Sequence, residues 1–136
     1  MRRLLVLLCA PLSAVALTAC ASTVSTAGFK GAKQEVAQTV ANLQSDVTAG
    51  EQKKICANDL AAATVTRLGG TKGCEAAIKS QLAEVDSFEV SVLSVKLAAG
   101  ETSATAQVKS IRQGKSSLGS LSFVKEGGKW KISGVG

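Results

Sequence analysis

The apolar residues of this chain change their spacing once, near Ser87, and that change limits the folds open to it. Ahead of it they recur at helical intervals. Val36, Val40, Leu43 and Val47 form one stripe of an amphipathic helix that ends near Gly50. Ile55 and Cys56 fall in a second, shorter segment, with Asn58 or Asp59 available as an N-cap for a helix over Leu60 to Leu68. Gly69-Gly70 breaks the chain. A further helix, starting around Thr71 to Gly73, carries Cys74, Ile78, Leu82 and Val85 on one face, which puts Cys74 on the buried stripe.

Beyond Ser87 the period falls to two. Phe88, Val90 and Val92 alternate, and then Leu93, Val95 and Leu97 alternate with the opposite parity, the mark of a bulge in mid-strand. Ala98 to Glu101 turns the chain, and Ala104, Ala106 and Val108 follow on one face against Ser103, Thr105, Gln107 and Lys109. Gln113-Gly114-Lys115 turns again. Leu121 and Phe123, a Glu126-Gly127-Gly128 hairpin, then Trp130 and Ile132 complete an antiparallel meander. Three or four helices followed by such a meander define an α+β architecture.

This order, with its closing stretch "SFVKEGGKWKISGV" and the two-cysteine helical stretch from Lys53 to Leu82, resembles the nuclear-transport-factor-2-like (cystatin-like) fold. It is similar to small bacterial lipoproteins that carry such a domain, and the resemblance runs over residues 30–135. It implies N-terminal helices packed on a curved antiparallel sheet, a cone-like domain over 30–136. The cone can hold an apolar pocket lined by Val90, Ala104, Ala106, Phe123 and Trp130, because the small residues at 104 and 106 leave room between sheet and helices. They equally allow a helix to pack closely. Enzymes of this fold use Asp, or Asp and His, together with Tyr. The chain contains no His and no Tyr, so a non-catalytic domain without cofactor or metal is expected. Asp46, Asp59, Glu75, Glu84 and Asp86 read as helix-end or polar-face residues, accounted for by capping and solvation.

The first residues point elsewhere. Met1-Arg2-Arg3 is basic, and Leu4 to Leu17 is an apolar run too short, at about 1.5 Å per helical residue, for a hydrocarbon core about 30 Å thick. A basic start, a short apolar run and small residues behind it describe a secretory signal. Leu17-Thr18-Ala19-Cys20 resembles the lipobox of bacterial lipoproteins. The resemblance implies cleavage after residue 19, a diacylglyceryl group on the Cys20 thiol, and a tether over 20–29 at the outer face of the cell membrane. Two acyl chains on one residue give durable anchoring where one does not. A soluble secreted protein, cut at an Ala-x-Ala-like site, is the rival reading.

Cys9 leaves with the signal and Cys20 with the lipid, so Cys56 and Cys74 remain as an even pair in an exported domain. A structural disulfide is the expected state. A redox pair is disfavoured by the spacing, and a metal site by the lack of further ligands. Removing residues 1–19 lowers the net charge from +6 to +4, and the remaining lysines are scattered. Nucleic acid is not an expected partner, because the chain is exported and only 3% aromatic. The Gly114-Lys115-Ser116 triplet ends like a phosphate-binding loop but has Lys109 where that loop needs glycine, and it sits between strands. The reading is a membrane-anchored extracytoplasmic binding domain for a small apolar ligand. The alternative is an interaction module that pairs with an envelope protein or with a second copy of itself.

Overall fold

A computed structural model describes residues 24–136. The expected signal peptide (1–19) and Cys20 lie outside the described residues. The first helix, α1 (Ala32–Thr48), buries Val36, Ala37 and Val40 completely, along the stripe read from the sequence. Its buried Gln44 reaches across to strand β1 (Phe88–Leu97), where the side-chain Oε1 accepts the Val90 amide proton at 2.9 Å. Val24 and Phe29, placed in the tether by the sequence reading, pack against the same core. From Val24 onward the chain belongs to the domain.

A short helix, α2 (Gln52–Lys54), runs into a wide turn over Ile55–Asp59, in which the Leu60 amide reaches back five residues to the Ile55 carbonyl at 3.0 Å. Such widened turns are rare and concentrate at functional sites. Helix α3 (Ala62–Arg67) follows, then α4 (Gly70–Ala83). Neither Asn58 nor Asp59 caps α3, contrary to the sequence reading. The helix begins at Ala62, whose amide donates to the Glu126 carboxylate at 3.1 and 3.3 Å, and Asp59 is drawn into the interior at 2% exposure. The cause is covalent. Cys56 and Cys74 form a disulfide spanning 18 residues, which pulls the wide turn onto α4.

The sheet is a meander of β1, β2 (Ser103–Arg112), β3 (Lys115–Glu126) and β4 (Lys129–Val135), in the order β1-β2-β3-β4. The parity switch in β1 is a bulge. Val92 pairs with Val108 and Ser94 with Gln107, so Leu93 is the extra residue and stands 55% exposed while Val90 and Val95 both stay buried. A second bulge lies in β4, where Ser122 pairs with Gly134 but Phe123 pairs with Ile132. The unpaired residue there is Ser133, and its carbonyl accepts from Thr64 Oγ1 at 3.1 Å and Arg67 Nη2 at 2.8 Å. With the Ala61 amide on the Ile132 carbonyl at 2.8 Å, these bonds cover the β4 edge with α3. The two-residue turns at Gln113-Gly114 and Gly127-Gly128 have positive φ at both positions, matching strand twist.

Two tests follow from the helical layer. Replacing Cys56 and Cys74 together by Ser should lower the unfolding free energy by about 3 kcal/mol in urea titration, the loop-closure value for this span; a loss under about 1 kcal/mol would show that the bridge constrains little. Gly73→Ala is the sharper test. Helix propensity alone favours Ala by about 1 kcal/mol. A Cβ at Gly73 would, however, lie 2.1 Å from the Leu68 carbonyl oxygen, so the backbone of α4 must move. The variant should lose about 1–3 kcal/mol, and a gain in melting temperature would contradict the packing of α3 on α4.

Candidate functional site

No single cavity gathers the five residues expected to line one: Trp130 borders one cleft, Ala104 and Phe123 another, and the body of each side chain lies in the core. Val90, Ala104, Ala106, Phe123 and Trp130 are all buried, in one cluster with Val36 and Val40 of α1. Ala104 pairs with Phe123, and Ala106 with Val95. Their small side chains admit the helix instead of a ligand. The interior there is core.

Open space lies to the side of that core. A groove of about 900 Å3 runs between α1, the segment after α4 and the start of β1. Its apolar walls are Val24, Ala41, Val47, Leu82, Val85 and Phe88, and Asn42, Ser45, Thr48, Asp86 and Ser87 supply its polar groups. The stripe that buries Val36 and Val40 at the front of α1 thus continues into half-buried Val47, which lines the groove opposite the start of β1. Phe88 opens β1 and is likewise half-buried. Val24 is buried against this groove, at 8% exposure.

A second cleft, of about 770 Å3, shares Gln38 and Asn42 with the first and continues to Asn58, Asp59 and the stretch Gly128 to Lys131. It is bounded by polar bonds. Trp130 Nε1 donates to Glu35 Oε2 at 3.1 Å, and Lys125 Nζ lies 3.8 Å from the same oxygen and 5.5 Å above the Trp130 ring. Lys131 Nζ donates to the carbonyls of Ala57 (3.2 Å) and Asn58. Those carbonyls belong to the wide turn, so a strand lysine stabilises the turn from outside.

No protein-family model and no curated protein matches the chain. Among solved structures it is similar to a designed nuclear-transport-factor-2-like protein, with TM-score 0.51 and 14% identity, over 74% of this chain and 95% of that one. The fold is nuclear-transport-factor-2-like. At that identity the likeness carries the fold and nothing further.

Within this nuclear-transport-factor-2-like domain the unusual titratable group is Asp59, which the sequence reading had assigned to capping. It lies at the end of the wide turn, nearly sealed from solvent, and its Oδ2 has no hydrogen-bond partner among the described residues. Burial pushes its carboxyl up to about 7, helped by the charge of Asp46 and a hydrogen bond between the two side chains, and opposed by Lys131. Asp59, at the end of the wide turn, thus faces Asp46 of α1, and the neutral form of its carboxyl is the one this setting favours. Nothing in the local pattern around Asp59 announces this. Only the wide turn and the disulfide bring it inward. Among the described residues no group of three or more His, Cys, Asp or Glu could hold a metal ion.

The raised carboxyl has a sign that can be measured. The folded state favours the neutral acid, so folding takes up a proton between the ordinary value of 3.8 and about 7. The resulting stabilisation is complete below pH 4 and is lost as the pH rises through 7. Measured against Asp59→Asn, the wild type should therefore lose stability from pH 4 to pH 8, by up to about 1.4 kcal/mol per pH unit. Parallel pH profiles for the two proteins would show that Asp59 titrates normally.

Proposed function

We propose that the protein is a lipid-anchored, extracytoplasmic and non-catalytic binding domain that takes a small apolar molecule into the groove beside α1. The groove is the observation that carries this reading: about 900 Å3 of open space walled by Ala41, Val47, Leu82, Val85 and Phe88, with hydroxyl and amide groups to orient a polar end. The Leu17-Thr18-Ala19-Cys20 motif supports the anchor, and a disulfide is the state an exported domain favours. The non-catalytic reading is supported by the setting of Asp59. It is 2% exposed and faces Asp46, with no histidine or tyrosine in the chain to complete an acid–base pair.

The reading is tested on the exported, unlipidated Cys20→Ser chain. Titration with anilinonaphthalene sulfonate, an apolar anionic fluorophore, should give saturable binding, and native mass spectrometry should find apolar molecules carried through purification. Ala41→Trp, which places a large ring in the groove, should weaken dye binding about tenfold, equivalent to about 1.4 kcal/mol. Its melting curve should remain cooperative. Equal dye affinity in both proteins, or no saturable binding in the parent, would argue against the groove as a ligand site.

A further inference from the structure

The first described residue, Val24, borders the groove, and the anchor motif ends four residues ahead of it in sequence, which points to an occupant. Val24 is buried in the groove wall, and Cys20 is four residues ahead of it. Four residues of extended chain span at most about 14 Å. Whatever lipid Cys20 carries is therefore held at the groove by a very short leash. Linkers this short give local concentrations of the order of millimolar, which a free apolar molecule in the aqueous envelope does not reach.

We propose that the groove takes an acyl chain, and that its resident occupant is one chain of the diacylglyceryl group on Cys20. This rests on the lipid-anchored reading given above and deepens it by naming the ligand class. The chemistry of the groove suits such a chain. Val47, Leu82, Val85 and Phe88 give an apolar channel that favours methylenes over water. Ser45 of α1 offers a hydroxyl to the ester oxygens, whereas Thr48 Oγ1 already donates to the Gln44 carbonyl at 2.8 Å. Gln44, which also lines the groove, is already engaged by the Val90 amide, so it adds no strong competition from water.

The arrangement has a consequence for anchoring. A chain held in the groove is withdrawn from the bilayer, and a single remaining chain holds a protein only marginally and reversibly. Groove occupancy would then set how firmly the domain is retained at the membrane. An apolar ligand that displaces the stored chain returns it to the bilayer and tightens the hold.

The experiment uses the full chain in cells fed a diazirine-bearing fatty acid, which enters both phospholipid and the lipid on Cys20. After irradiation the protein is purified, its intact mass recorded, and its crosslinked peptides identified by mass spectrometry. The expected result is adducts joining the Cys20 lipopeptide to peptides carrying Val47, Leu82 or Phe88. In Ala41→Trp these should fall at least about fivefold, a change of about 1 kcal/mol. Phospholipid adducts in the groove in place of lipopeptide adducts would overturn the resident-chain assignment, as would an acylated protein with no groove adduct. Both outcomes leave the binding domain and its anchor standing. An intact mass without acyl groups would instead remove the anchor itself, and with it this proposal.

Discussion

The shape of this domain depends on two single-residue interruptions in its sheet, at Leu93 in β1 and Ser133 in β4. A one-residue slip moves every later side chain to the opposite face. The β1 bulge keeps Val90 and Val95, on either side of it, in the buried core. The β4 bulge lies beyond Trp130 and Ile132, whose register the Gly127-Gly128 turn sets, and turns the Ser133 carbonyl toward Thr64 and Arg67. Both add local twist and bend. The face so curved is shallow at Ala104 and Ala106, and there the Val36–Val40 stripe of α1 completes the core. Deleting the extra residue of the β1 bulge would turn half of that edge strand inside out, and α1 would lose part of the surface it seats on.

The helices beyond α1 are held by bonds of a different kind. They bury little: α2 and α3 contain no fully buried residue, and α4 has only Cys74. What locates them is the Cys56–Cys74 bridge, the Ser133 carbonyl that accepts from Thr64 and Arg67, and the contact of Lys131 with the wide turn. This cross-linked layer is also where Asp59, the strongly perturbed acid among the described residues, sits. Asp59 stays inside because the bridge holds the wide turn against α4, and its carboxyl faces Asp46 of α1. Outside Ile55, Cys56, Ala61 and Cys74 this layer buries few apolar residues, and the exposed turns of α3 and α4 are the part of the domain expected to open first.

Much of this was legible in the amino-acid sequence, for stated reasons. The change of period near Ser87 separated helices from strands. The parity switch at Leu93 located a bulge because burial of one face forces register, and the paired Cys56 and Cys74 predicted their bridge. The β4 bulge was not legible, because Trp130 and Ile132 alternate smoothly and the break comes only at Ser133, where no apolar residue marks it. Asp59 was misread because a wide turn has no periodic signature, so a buried acid and a capping acid look alike. The residues expected to line a pocket lie mainly in the core for a simpler reason. Alanines on a concave sheet leave room, but sequence cannot say whether a ligand or a helix fills it, and here Val36 and Val40 do.

The central claim is that the concave interior is filled and that open apolar volume lies to the side, next to Val24. Xenon enters dry apolar space and reports its position directly. Methyl-resolved NMR of the unlipidated domain under xenon pressure should therefore show shifts at Val47, Leu82 and Val85, with Ala104, Ala106 and Val36 unmoved. Shifts centred on Ala104 and Ala106 instead would place a cavity beneath α1 and contradict the account.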